Sequence, residues 1–217
     1  MAGLSQPRGE GCEAWNAAGR RRCDRHERAT ATVAQTVRAA EAGDICILLV
    51  PSRPPSTNVK DLLERLKRDF GGRIVEPLHV TVDRVTAADP EDIVGAIRES
   101  VPRLRRAAVR GEGLFVLRSA YRGANVLKVD VGRDSALDHD VDELRAALRK
   151  AGLTPMYGDE RSMTVTALDR IERPGAPDTA AAGLPLDLFV ADTVLISRIR
   201  AVGSYEILDS ASLTASG

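Results

Sequence analysis

Aromatic residues are the scarcest class in this 217-residue chain, at 3% of positions: one Trp, three Tyr and three Phe. A core must then be built from Val, Leu, Ile and Ala. Modules that stack bases on exposed rings, such as RRM or single-strand-binding domains, are disfavoured. Charge of one sign is also lacking. Lys and Arg total 31, Asp and Glu total 31, and the net charge is zero, so no global field points to a polyanionic partner. The three cysteines, Cys12, Cys23 and Cys46, are an odd number and too few for a disulfide framework. No run of 18 apolar residues is present to span a membrane, and the first residues show no apolar secretory signal core. These absences read as a cytoplasmic protein with no membrane partner. Cys12, Cys23 and His26 match no zinc-finger or ribbon spacing and lack a fourth ligand, so neither a metal nor a cofactor is expected. What is present, 43% hydrophobic and 29% charged residues, is ordinary for a globular domain with one core or two small lobes.

Taken in order, residues 1–43 read as a flexible N-terminal extension, with Arg20-Arg21-Arg22 as a solvated basic run and 27–42 suited to one helix. The folded domain is expected over 44–209, with 210–217 as a small polar tail. Ile45–Val50 is a continuous apolar run, as in a strand covered on both faces. Val59–Phe70 carries Leu62, Leu63, Leu66 and Phe70 at helical spacing and stops at Gly71-Gly72. Asp89-Pro90-Glu91-Asp92 starts a second helix that runs to Pro102, with a continuation to Ala108. The arginines around its end (Arg98, Arg103, Arg105, Arg106, Arg110) suit a solvated helix C-terminus; the alternative is a rim that attracts phosphate. Leu114–Arg118 and Asn125–Val131 read as a hairpin around Gly123, and Leu137–Ala151 as an amphipathic helix. His139, between two aspartates on that helix, reads as a surface residue. Residues 172–184 form a Pro/Gly/Ala loop, and Leu186–Val190, Thr193–Arg198 and Ser204–Leu208 close the chain as strands. Helices alternating with hairpins point to an α+β fold. Two pseudo-symmetric lobes of antiparallel sheet, with outer helices, would surround a central cleft.

The most informative stretch is Pro77–Val85, PLHVTVDRV. Strand alternation places His79, Thr81 and Asp83 on one face and Val80, Val82 and Arg84 on the other. A second stretch, RSMTVTALDRI at Arg161–Ile171, has nearly the same pattern 83 positions later. It places Ser162, Thr164 and Thr166 on one face, and Met163, Val165 and Ala167 on the other. A strand histidine facing a cleft is a candidate acid or base, because imidazole titrates near neutrality. A hydroxyl two residues on can donate to an anionic oxygen. Two such pairs facing each other would hold a phosphodiester from both sides.

The stretches PLHVTV, ILLVP and SMTV, with the closing LFVADTVLISRI and SYEIL, resemble the two-histidine (2H) phosphoesterase superfamily, and within it the 2′-5′ RNA ligase / RNA 2′,3′-cyclic phosphodiesterase branch. The resemblance covers about 44–208. It implies two H-x-T-x motifs on matching strands, with His79 as one acid–base residue, Thr81 as a phosphate contact and Thr164 as the threonine of the second motif. Ser162 stands where the second histidine is expected, and Ala167 where many members carry Arg. The implied activity is metal-free acid–base cleavage of a 2′,3′-cyclic phosphate or a 2′-5′ linkage, impaired because one motif histidine is missing. The implied partner is an RNA end or a nucleotide carrying a cyclic phosphate. The alternatives are an inactive relative that keeps the cleft to bind a nucleotide or RNA end, and a protein-interaction domain. Ser162 acting as a nucleophile with His79 as its base lacks any nucleophile-elbow signature.

Overall fold

A computed structural model describes residues 39–85, 90–132, 134–157 and 163–215. The N-terminal extension up to 38 lies outside the described residues. So do Cys12, Cys23, His26 and most of the helix expected at 27–42, whose last residues, 39–42, are not helical.

Nine strands and three α-helices follow one another among the described residues. They are β1 (Ile45–Val50), α1 (Thr57–Phe70), β2 (Arg73–Ile74), β3 (Val80–Val85), α2 (Pro90–Ser100), β4 (Ala107–Ser119), β5 (Ala124–Val131), α3 (Ser135–Lys150), β6 (Thr164–Asp169), β7 (Leu186–Ala191), β8 (Thr193–Ala201) and β9 (Ser204–Ser212). All strand pairs are antiparallel and join one curled sheet in the order β7-β4-β5-β6-β3-β1-β8-β9, with β2 added beside β6. This is the α+β, two-lobed antiparallel arrangement expected from the sequence. One lobe is β3-β1-β8-β9 and the other β6-β5-β4-β7. They meet where the two motif strands, β3 and β6, lie side by side through the pair Val80–Val165.

The helices cover one face of the sheet. On α1, Val59, Leu62, Leu63 and Leu66 are buried at i, i+3, i+4 and i+7. Ser56 caps its start by accepting from the Val59 N–H, and Gly71 at φ +70° ends it with its N–H on the Lys67 carbonyl. On α3, Leu137, Val141, Leu144 and Leu148 form the equivalent stripe, and Asp134 accepts from the N–H groups of Ala136 and Leu137. These stripes share one core with Ile45, Ile47 and Leu49 of β1, Val80 and Val82 of β3, Leu127 and Val129 of β5, and Val165 of β6. The other face of the sheet carries a smaller cluster, Cys46, Leu48, Val50 and Ile199. That face forms the cleft.

Three elements differ from expectation. The second helix stops at Ser100 and passes into a short 3-10 turn at Val101–Arg103, rather than continuing to Ala108. Pro102 has no N–H to continue the α-helical ladder, and Ala107 is already a strand residue. β4 and β9 are longer than their apolar patterns, because their ladder bonds extend over polar positions. Four arginines in the last turn of α2 and beyond it are tied to aspartates: Arg98 to Asp209 at 2.8 Å, Arg105 to Asp140 at 2.6 Å, Arg106 to Asp192 at 3.8 Å and Arg110 to Asp187 at 3.4 Å. They fasten strands and helices to one another. No helix among the described residues is long and apolar enough to cross a membrane.

Candidate active site

His79 immediately precedes β3, on the side of the sheet opposite the helices. Its Nδ1 lies 2.8 Å from the Pro77 carbonyl oxygen. A carbonyl only accepts, so Nδ1 carries the proton and Nε2 holds the lone pair. The ring is half-buried in a cleft of about 210 Å³. Burial holds its pKa below the ordinary 6.5, against the raising effect of the Pro77 bond; the positive charges of Arg122 and Lys128 push the same way as burial. The imidazole is thereby kept neutral near pH 7, the form that takes a proton.

The hydroxyls follow from register. β3 and β6 run antiparallel with Val80 opposite Val165. One residue further in each direction, His79 lies beside Thr166 and Thr81 beside Thr164. Val80 and Val165 point into the helix-covered core, so the four neighbours lie on the other face, where His79, Thr81 and Thr166 line the cleft. On the far side of β6, Lys128 of β5 is opposite Thr166 and Asp130 is opposite Thr164. The Lys128 ammonium donates to Thr164 Oγ1 at 3.1 Å. His79, Thr166 and Lys128 therefore stand in a row across three adjacent strands. Ser162 lies outside the described residues.

A local two-fold axis through the Val80–Val165 pair relates the two lobes at an offset of 85 residues. It equates His79 with Thr164 and Thr81 with Thr166. The bulges obey the same relation. The β1–β3 register shifts between Ile47 and Leu48, where Val82 is the extra residue, and the β5–β6 register shifts between Leu127 and Lys128, where Ala167 is the extra residue. Val82 and Ala167 are again 85 apart. The alignment at 83 positions, which sets Ser162 against His79, matches identical letters but not this register.

The first bulge overturns the expected faces of Asp83 and Arg84. A bulge inserts one residue and so exchanges the two faces beyond it. Asp83 sits opposite Ile47 and turns into the core, fully buried, where Arg145 of α3 donates to it at 2.8 Å. Arg84 sits opposite Cys46 and lines the cleft, with its guanidinium 3.4 Å from Asp44 and 5.7 Å from the centre of the Tyr157 ring. A second cleft arginine, Arg122, comes from the β4–β5 turn and pairs with Asp169 at 3.0 Å. Arg84, Arg122 and Lys128 are lining residues that the sequence pattern did not single out. No local signal marks them, because a bulge and two neighbouring strands bring them in.

The three tyrosines of the chain, Tyr121, Tyr157 and Tyr205, all line this one cleft. Tyr121 donates to the Ala201 carbonyl at 2.9 Å. Burial pushes the Tyr205 hydroxyl far above its usual range, so it stays protonated. The scarcity of aromatics thus conceals their concentration at one place. His139 is exposed on α3, as expected, and takes no part in the cleft.

The curled antiparallel sheet with a polar cleft beside its two paired central strands can be compared with known proteins. Neither a family model nor a curated protein matches the sequence. Among solved structures, the chain is similar to a protein described as a phosphoesterase (TM-score 0.54, 13% identity, covering 79% of this chain and 99% of that one). It is similar to Escherichia coli LigT complexed with 3′-AMP (TM-score 0.53, 14% identity, 80% and 99%). It is also similar to a protein of Thermus thermophilus (TM-score 0.54, 16% identity, 80% and 100%). At these identities the likeness is one of fold.

Proposed function

We propose that the protein is a phosphodiesterase that cleaves the 2′,3′-cyclic phosphate of an RNA end or nucleotide, or a 2′-5′ linkage, by acid–base chemistry. The observation that carries this reading is the fixed tautomer of His79. Its proton is committed to Pro77, and its lone pair stands among threonine hydroxyls and cations. In the reaction, His79 Nε2 takes a proton from the attacking water. Thr81 and Thr166 donate to the non-bridging oxygens. Arg84, Arg122 and Lys128 oppose the charge that grows on phosphorus oxygens in the transition state. The leaving ribose oxygen takes a proton, and a phosphomonoester results. The tyrosines offer faces for a ring, and the structural neighbour LigT, solved with 3′-AMP, makes a nucleotide the first ligand to test.

The test is turnover of a nucleoside 2′,3′-cyclic phosphate by the native protein and by His79→Ala. Loss of a general base typically costs about 10²–10⁴ in rate, and a loss of that size is expected. Absent turnover, with saturable 3′-AMP binding that weakens in Thr81→Ala and Thr166→Ala, would instead establish an inactive binding relative. That alternative draws on a specific feature: His79 is the one imidazole lining the cleft among the described residues. Absence of both turnover and binding would leave a protein-interaction domain.

A further inference from the structure

Cleavage of a phosphodiester needs a proton removed on one side of phosphorus and a proton supplied on the other. His79 fills one role. The lobe two-fold puts a threonine, Thr164, where the matching group would stand, and an alcohol is too weak an acid to protonate a leaving alkoxide usefully near neutrality. The cleft must supply the second proton from elsewhere. Arg84 and Arg122 are unsuited, because a guanidinium does not give up its proton in proteins, and they face Asp44 and Asp169. Tyr121 commits its hydroxyl hydrogen to a backbone carbonyl, and the half-buried Tyr205 hydroxyl is held far above its usual range by desolvation.

We propose that Lys128 is the second catalytic residue, the general acid that protonates the leaving oxygen. Its Nζ lies 3.1 Å from Thr164 Oγ1, the hydroxyl that the two-fold equates with the His79 position. It faces His79 across Thr166, with backbones two strand spacings apart, roughly 9.6 Å. A phosphodiester bridging that row has a base at one end and an ammonium at the other. An ammonium has three N–H donors, so one can hold Thr164 while another addresses the leaving oxygen. Lysine is rare here: four of the 31 basic residues, and the other three, Lys60, Lys67 and Lys150, are exposed on α1 and α3. Lys128 is the only lysine lining the cleft among the described residues.

The step balances without a further reactant. Water attacks phosphorus and its proton passes to His79 Nε2. The bond from phosphorus to the ribose oxygen breaks, and that oxygen takes a proton from Lys128 Nζ. Imidazolium and neutral amine then return to their starting states by exchange with solvent, leaving phosphomonoester and free hydroxyl. This assignment rests on the phosphodiesterase reading, and the test separates the two.

Native protein, His79→Ala, Lys128→Ala and Lys128→Arg are compared on two esters, a nucleoside 2′,3′-cyclic phosphate and bis(4-nitrophenyl) phosphate. The alkoxide leaving group of the first needs a proton; the nitrophenolate of the second does not. On the cyclic ester, Lys128→Ala is expected to lose about 10²–10⁴ in kcat, the cost of a missing general acid. On the nitrophenyl ester it should lose about tenfold, the cost of one charged contact. Lys128→Arg keeps the charge but not the transferable proton, so it should stay impaired on the cyclic ester. Equal losses on both esters, or rescue by arginine, would reduce Lys128 to a charge that binds phosphate and overturn the assignment. Loss in His79→Ala without loss in Lys128→Ala overturns it alone. A native protein that turns over neither ester sinks the phosphodiesterase reading and this assignment together.

Discussion

Replacing Asp83 with Asn tests the buried linkage beneath the cleft. Asp83 Oδ1 accepts from the backbone N–H groups of Arg84, Met156 and Tyr157 at 2.7, 2.9 and 3.1 Å, and Oδ2 accepts from Arg145 Nε at 2.8 Å. The carboxylate is fully buried, and the Arg145 side chain is 6% exposed. Asparagine keeps a carbonyl for the three amides but turns an NH2 group toward a guanidinium that also only donates. The buried guanidinium then faces a donor where it had an acceptor. The ion pair it also makes to Asp142, at 3.6 Å, involves a carboxylate that is 62% exposed and adds little. Removing one member of a buried pair typically costs about 3–5 kcal/mol. At roughly 2–4 °C per kcal/mol for a domain of this size, the melting temperature should fall by about 6–20 °C. Urea unfolding followed by circular dichroism gives the free energy directly. Adding Arg145→Met to the Asn variant should recover at least half of the loss, because the buried charge set against a donor is the costly part. A loss below about 1 kcal/mol, or no recovery in the double variant, would refute the argument.

Two further outcomes follow from the geometry. Gly72 has φ +86°, and a Cβ there would meet the Asp169 carbonyl oxygen at 2.6 Å. Gly72→Ala should therefore destabilise by roughly 1–3 kcal/mol in urea unfolding, while alanine at Gly95, which meets nothing within 4 Å, should not. The second outcome concerns pH. His79 is held neutral in the fold, chiefly by burial. Below pH 6.5 the unfolded chain binds a proton that the folded imidazole still refuses, so this group's contribution to stability is present above 6.5 and declines as pH falls toward the lowered folded value. The acid limb of kcat/KM should accordingly lie below pH 6.5. A limb at or above 6.5 would contradict the burial argument.

The parts of this molecule that local pattern specifies were legible in advance. The stripes of α1 and α3, the helix stop at Gly71, and the alternation from His79 to Val82 depend on neighbours within a few residues, and the structure repeats them. Asp83 and Arg84 were not legible. Their faces depend on an extra residue in the β1–β3 pairing, which alternation alone does not reveal. Lys128, Arg122 and the three tyrosines reach the cleft from separate strands and turns, so their assembly is a property of sheet order. The aromatic count was informative about the core and misleading about the cleft, because composition carries no position.

The same register decides where a second imidazole would act, and this can be tried. Letter-by-letter alignment points to Ser162, while the two-fold through Val80 and Val165 points to Thr164. On β6, Thr164 is flanked by Lys128 Nζ at 3.1 Å and lies beside Thr81 on β3. An imidazole there would face phosphorus from the side opposite His79 and could supply the proton otherwise assigned to Lys128. Thr164→His placed in the Lys128→Ala protein should restore turnover of the cyclic ester by about 10² or more, the typical worth of a positioned acid. Ser162→His in the same background should restore little. Rescue by the second substitution and not the first would mean that the sheet's two-fold misidentifies the catalytic position, and that chain spacing is the better guide to it.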